Sequence, residues 1–155
     1  MSSVAASLAK AVDDVTVAEN PRDDAVRRIL FFDGVCGLCN RAVDFVIVRD
    51  RRGEFLFAPL QGDTARQLLS PSDVTNLNTM ILWVNGKIYR KSAASVRVLW
   101  RLSAGWRLLG TLLWLVPLPL RNLGYSLIAS NRYRFFGKKE TCRMPTPAER
   151  SRFLP

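Results

Sequence analysis

The sequence predicts an α/β fold with a mixed sheet, in the element order β-α-β-α-β-β-α, with an added C-terminal helical extension. Three observations lead there. The apolar run Ile29 to Phe32 stops at Asp33 and a Gly-containing turn, and helical periodicity begins at once. Two later strand-like segments, Thr79 to Val84 and Lys87 to Arg90, are joined by Asn85-Gly86, a strong type I′ hairpin signal. Beyond them, Trp106 to Leu120 is an apolar run broken by Pro117 and Pro119 and hemmed in by Arg107 and Arg121.

Composition bounds the reading. A chain of 155 residues that is 48% hydrophobic and 23% charged buries a core of its own and is not disordered. We read residues 1–27 as a loosely ordered leader and 28–102 as the α/β core. Residues 103–155 then form a basic helical extension and tail packed on that core, one domain overall. Met1 to Ala25 lacks the basic start and apolar stretch of a secretory signal, and the leader is too acidic for a typical transit peptide. A cytoplasmic location is expected, or an organellar one if the leader is a transit peptide. The net charge of +10 is uneven: residues 1–89 carry −1 and residues 90–155 carry +11. A basic C-terminal part suits an anionic lipid surface or an acidic protein, or is simply a solvated face. Nucleic acid is a weaker partner, since no reading module is present.

Arg28 to Phe32 reads as a strand buried on both faces, because its apolar run is nearly continuous. Cys39 to Arg52 reads as a helix, with Cys39, Val43, Val46 and Ile47 as its inner stripe and Gly53 as its C-cap. Glu54 to Leu60 is the second strand, parallel to the first across a right-handed crossover. A short helix over Thr64 to Leu69 follows, then a loop at Ser70 to Asp73 that caps another turn. Thr79 to Val84 and Lys87 to Arg90 form the antiparallel hairpin. Ser92 is the expected N-cap of a helix to about Leu102, with Ala93, Val96, Leu99 and Trp100 facing inward. This order is the minimal thioredoxin-like arrangement. Trp106 to Leu120 and Arg121 to Ser130 make a helical hairpin that covers the sheet or docks a partner. A membrane-surface segment is the rival, because Trp106, Trp114 and the flanking Arg suit an interface. Asn131 to Pro155 is a basic tail.

The chemistry gathers at Asp33-Gly34-Val35-Cys36-Gly37-Leu38-Cys39. A strand that delivers two thiols at this spacing to a starting helix is a device for thiol–disulfide exchange. The helix N-terminus favours an anion, so a Cys36 thiolate should form below the pH of a free thiol. Cys39, one turn in and on the buried stripe, acts second. Two packing thiols are the plain alternative. Asp33 either takes a proton from Cys39 or caps the turn, and both uses fit the same geometry. Cys142 either joins the exchange or is a bystander in the tail. With three Cys and no His, a zinc site would need a carboxylate or a second chain, and Ser-His and Cys-His catalysis are excluded. No cofactor and no metal are expected. The strand-Asp-Gly opening lacks the second Asp of a haloacid-dehalogenase-type phosphatase, Val35 standing in its place.

On Asp33, Cys36 and Cys39, on Ser92-Ala93-Ala94 after the hairpin, and on Asn131 to Gly137 followed by Cys142 and Pro145, the sequence resembles the DCC family of thiol–disulfide oxidoreductases. The resemblance spans Ile29 to Leu154. It implies a thioredoxin-like fold and a protein-disulfide reductase-like activity on a disulfide-containing protein or a small thiol substrate. Asp33, Cys36 and Cys39 are its motif residues, and Arg132, Tyr133 and Cys142 are accessory candidates. One feature departs from thioredoxins. No Pro precedes the third strand near Asn78-Thr79, so the loop that faces the substrate should be built differently. The competing reading is a non-catalytic adaptor that docks a membrane surface or an acidic protein through its basic part.

Overall fold

In the computed structural model the described residues are 27–140 and 143–155. The leader reading, Arg27 apart, and the reading of Cys142 therefore lie outside them. Four strands form one sheet in the order β2-β1-β3-β4. Strands β1 (Arg28–Phe32) and β2 (Phe55–Pro59) are parallel, in the register Leu30 opposite Phe57. Strand β3 (Ile81–Val84) runs antiparallel to β1 and pairs with β4 (Lys87–Arg90) through the Asn85-Gly86 turn. Both turn residues have positive φ, +45° and +85°, as a type I′ hairpin requires. This is the thioredoxin-like arrangement that the pattern of the sequence predicts.

The central strand divides the core. Leu30 and Phe32 point into a cluster with Val43, Val46, Phe57, Leu82 and Val98. Ile29 and Phe31 point the other way, against Ala58, Leu60, Ala65, Leu69 and Ile81. Alternating side chains of a continuous apolar run thus fill both faces of the sheet, which is why β1 shows no polar alternation. Helix α1 (Gly37–Arg49) and helix α4 (Lys91–Arg101) pack on the first face. Helix α2 (Asp63–Leu68) and the single turn α3 (Pro71–Thr75), capped by Ser70, follow β2.

Several expectations are corrected at element ends. Helix α1 begins two residues before Cys39 and stops at Arg49; its C-cap is Asp50 and not Gly53, which takes φ +63° in the turn beyond. The Asp50 carboxylate explains the early stop: it accepts the Glu54 and Phe55 N–H groups and so turns the chain into β2. Ser92 is not an N-cap. Strand β4 runs straight into α4, the corner taken at Lys91 with φ +53°, and Arg90 holds the cap position. The Ser92 hydroxyl serves tertiary contacts instead, donating to Asn122 Oδ1 and accepting from Arg121 Nε. The buried face of α4 is accordingly Ser92, Ala94, Val96 and Val98, while Ala93, Leu99 and Trp100 are half-buried.

The C-terminal extension forms helices α5 (Ala104–Leu115) and α6 (Leu118–Phe136), bent by 113° where Pro117 and Pro119 interrupt the apolar run. Helix α6 continues six residues past Ser130, so Asn131 to Phe136 belong to it and not to the tail. The pair packs on α4 and α1. The tail does fold back: Phe153 bridges to Phe57, the Leu154 N–H donates to Phe57 O at 2.8 Å, and the free edge of β2 is thereby covered. Arg152 pins it, donating to Asp50 Oδ2 and to Phe55 O. Asp50 is almost wholly buried there, so Arg152→Ala leaves a buried charge unpaired. We expect a loss of about 3 kcal/mol in urea unfolding; a loss below about 0.5 kcal/mol would put the pair among ordinary surface bridges.

Candidate active site

The turn after β1 is built by hydrogen bonds between near neighbours. Asp33 Oδ1 accepts the Val35 N–H at 3.2 Å, and Asp33 O accepts the Cys36 N–H at 3.2 Å. Asn40, one turn into α1, donates its backbone N–H to Cys36 O and its side-chain amide to Gly34 O. Cys36 thereby becomes the N-cap of α1, with extended φ −82° and ψ 123°. Its Sγ accepts the Cys39 N–H at 3.4 Å, the cap contact that a Ser or Asp oxygen makes elsewhere. Cys36 and Cys39 are free thiols in this structure and both are buried, Cys36 at 0% exposure.

Burial first, and then the neighbouring Cys36 sulfur through its hydrogen bond and its charge, push Cys39 up from an ordinary 9.0 to about 12, with Arg132 and the Asp33 backbone N–H acting the other way. Cys39 therefore keeps its proton at neutral pH. A carboxylate does not sit against it: the Asp33 side chain is turned to other partners.

Those partners come from far along the chain. Asp33 Oδ2 accepts from Arg132 Nη2 at 3.1 Å and from the Tyr133 hydroxyl, and Oδ1 accepts from Gln61 Nε2 at 2.8 Å. Gln61 closes a second bond on the turn, its Oε1 accepting the Gly34 N–H at 3.3 Å. Arg132 spans the site, giving Nη1 to Leu77 O at 2.6 Å and Nη2 to the Tyr133 oxygen at 2.8 Å. Burial raises the Tyr133 phenol above its usual range, and its hydrogen bond to Asp33 raises it further. Tyr125, also on α6, accepts the Met80 N–H at 2.9 Å. The loop before β3, which lacks the expected thioredoxin Pro, thus has Leu77 O and Met80 N–H bonded to α6.

After α6 the chain crosses the thiols. Gly137, at φ +73°, ends the helix, and its carbonyl accepts the Gly37 N–H at 3.2 Å. Lys138 bridges to Cys36, and Lys139 N–H donates to Val35 O at 2.7 Å. A Cβ on Gly37 would lie 2.2 Å from Phe136 O, so only glycine lets this strap lie against the helix start.

The structure thus brings together Asp33, Cys36, Cys39, Arg132 and Tyr133. Cys142 lies outside the described residues. Sequence reasoning missed Gln61, for which no local pattern speaks, since its partner Asp33 is 28 positions away. It also missed the reach of α6, for which a signal existed: Arg132 and Arg134 in a last turn, then Gly137, mark a helix C-terminus. Among the described residues no three His, Cys, Asp or Glu side chains converge to hold a metal.

A thioredoxin-like sheet with a CxxC at the start of its first helix defines the class of thiol–disulfide oxidoreductases. The chain belongs, within that class, to the DCC1-like thiol-disulfide oxidoreductase family, whose model matches residues 30–138. It is 44% identical over 130 residues to a Bacillus subtilis protein named as the uncharacterized protein YuxK, covering 83% of this chain and 94% of that one. It is 32% identical over 138 residues to a chloroplastic DCC family protein of Arabidopsis thaliana, covering 86% and 78%. No solved structure matches it significantly.

Two outcomes follow from this geometry. Gly37→Ala should lift the strap from Cys36, speeding its reaction with a thiol-specific reagent in the native protein and costing about 1–3 kcal/mol of stability; an unchanged rate would show that the strap does not screen the thiol. Cys39 titrates higher folded than unfolded, so the stability it confers is complete below about pH 9 and is lost as pH rises toward about 12. Urea midpoints measured across that window should fall less steeply for Cys39→Ser than for the native chain.

Proposed function

We propose that the protein reduces disulfides by dithiol exchange, with Cys36 as nucleophile and Cys39 as resolving thiol. The observation that carries this reading is the N-cap contact, in which the Cys39 N–H donates to Cys36 Sγ at the positive end of α1. It makes Cys36 the sulfur on which negative charge is best held. The family supports thiol–disulfide chemistry in general; the protein-disulfide reductase type is our own assignment.

The Cys36 thiolate attacks one sulfur of a substrate disulfide, forming a mixed disulfide and expelling the other sulfur as a thiolate. Once Cys36 is in that bond, its charge no longer raises Cys39, one of the causes that kept Cys39 protonated. The expelled thiolate takes the Cys39 proton and leaves as a thiol. The Cys39 thiolate then attacks Cys36 Sγ, closing a Cys36–Cys39 disulfide and expelling the second substrate sulfur as a thiolate, which takes a proton from water. The substrate gains two electrons, the protein loses two, and an external dithiol restores it.

Asp33 is a positioning residue in this scheme. Its oxygens already accept from Arg132, Tyr133, Gln61 and Val35, which ties the CxxC turn to α6. Arg132 adds positive charge beside the thiols and eases the ionisation of Cys39. Because Cys36 has no exposed surface, a protein disulfide reaches it when the strap after Phe136 moves aside. Single-turnover assays with a disulfide-bonded protein substrate test the assignment. Cys36→Ser should abolish reduction, and Cys39→Ser should accumulate a mixed disulfide at Cys36 visible by mass spectrometry. Normal turnover by Cys36→Ser would end the proposal.

A further inference from the structure

From Val74 to Lys139 the chain contains no Asp or Glu and eleven Lys or Arg. Within that stretch, α5 and α6 turn an apolar face outward. Leu108, Leu112 and Leu115 on α5, and Leu123 and Leu127 on α6, are each 53–67% exposed, and Trp114 is 56% exposed. On α5 the spacing i, i+4, i+7 sets the leucines on one stripe, and on α6 the spacing i, i+4 does the same. The inner sides of both helices are occupied: Gly110 lies against Trp100, Trp106 packs edge-on to Phe45, and Tyr125 and Arg132 hold the loop before β3. The outer leucines are thus free of the core, and exposed Arg107, Arg134, Lys138 and Lys139 lie along the same two helices and just beyond them.

We propose that this face docks on an anionic membrane surface, with the leucines and Trp114 entering the headgroup boundary and the basic side chains meeting lipid charge. Leucine, tryptophan and arginine without acids are the composition that such an interface selects. A second copy of the chain is disfavoured on the same face, because it would set one acid-free basic surface against another. Together α5 and α6 have the length and composition of a membrane span, but they do not form one straight helix. Among the described residues no single helix is long and apolar enough to cross a bilayer, and the α5–α6 pair is bent by 113°. Surface docking has a consequence for the thiols. Helix α6 carries both the outer leucines and Arg132, and Leu123 to Arg132 is roughly 14 Å along a helix axis. The Asp33–Cys36 turn would then work close to the lipid surface.

Vesicle flotation of the full chain tests this, with phosphatidylcholine alone and with phosphatidylcholine mixed with phosphatidylglycerol. Flotation with the anionic vesicles only, reversed by added salt and accompanied by a blue shift of emission that Trp114→Phe removes, is the expected result. The combined variant Leu112→Ser, Leu115→Ser, Leu123→Ser should weaken partition by at least about tenfold, while the alkylation rate of Cys36 stays unchanged, which shows that the fold is intact. Three results would overturn the proposal: no flotation with anionic vesicles, equal flotation with neutral ones, or a dimer in light scattering that the leucine variant dissolves.

Discussion

Asp33 and Arg132 stand 99 positions apart, and their ion pair is almost wholly buried, at 0% and 3% side-chain exposure. Placing two charges there costs several kcal/mol for each ion. The surroundings offset that cost with hydrogen bonds from Tyr133, Gln61 and the Val35 N–H to the carboxylate, and with Leu77 O as an acceptor for the guanidinium. Such a pair adds little to stability beyond what apolar side chains would supply. What it contributes is geometry. It fixes the end of the central strand, and with it the CxxC turn, to the last turns of α6. The strap across Cys36 exists only because that helix ends where Arg132 and Tyr133 are held.

Position on the helix gives the two buried thiols different contacts. One sulfur sits at the helix N-cap with an N–H pointed at it; the other lies a turn further along the helix, where desolvation and its neighbour's hydrogen bond and charge keep it protonated. Cys36 has no exposed surface and lies beneath backbone that is pinned to the turn itself at Gly37, Val35 and Gly34. The cap contact and the cover over Cys36 come from one packing arrangement.

The fold was largely legible because its signals are local. A continuous apolar run, a CxxC at a turn, Asn-Gly between two strands and two prolines in a leucine run each constrain backbone within a few residues. The errors fell where tertiary demands outweighed a local preference. Ser92 has the chemistry of a cap, yet Asn122 and Arg121 claim its hydroxyl. Gly53 could end a helix, but the Asp50 carboxylate ended it first by binding the amides of the next strand.

The site divides in the same way. Asp33, Cys36 and Cys39 lie within seven residues, so covalent connectivity alone places them on one strand-to-helix turn, and their chemistry could be read from order and spacing. Gln61, the carboxylate's choice of Arg132 and Tyr133 over Cys39, and the burial of Cys36 beneath Gly137 and Lys138 depend on segments brought together by the sheet and by α6. Hydrogen bonds and desolvation act through space. No periodicity along the chain encodes them, and only the packed structure decides which donors reach a given oxygen and which thiol loses its water.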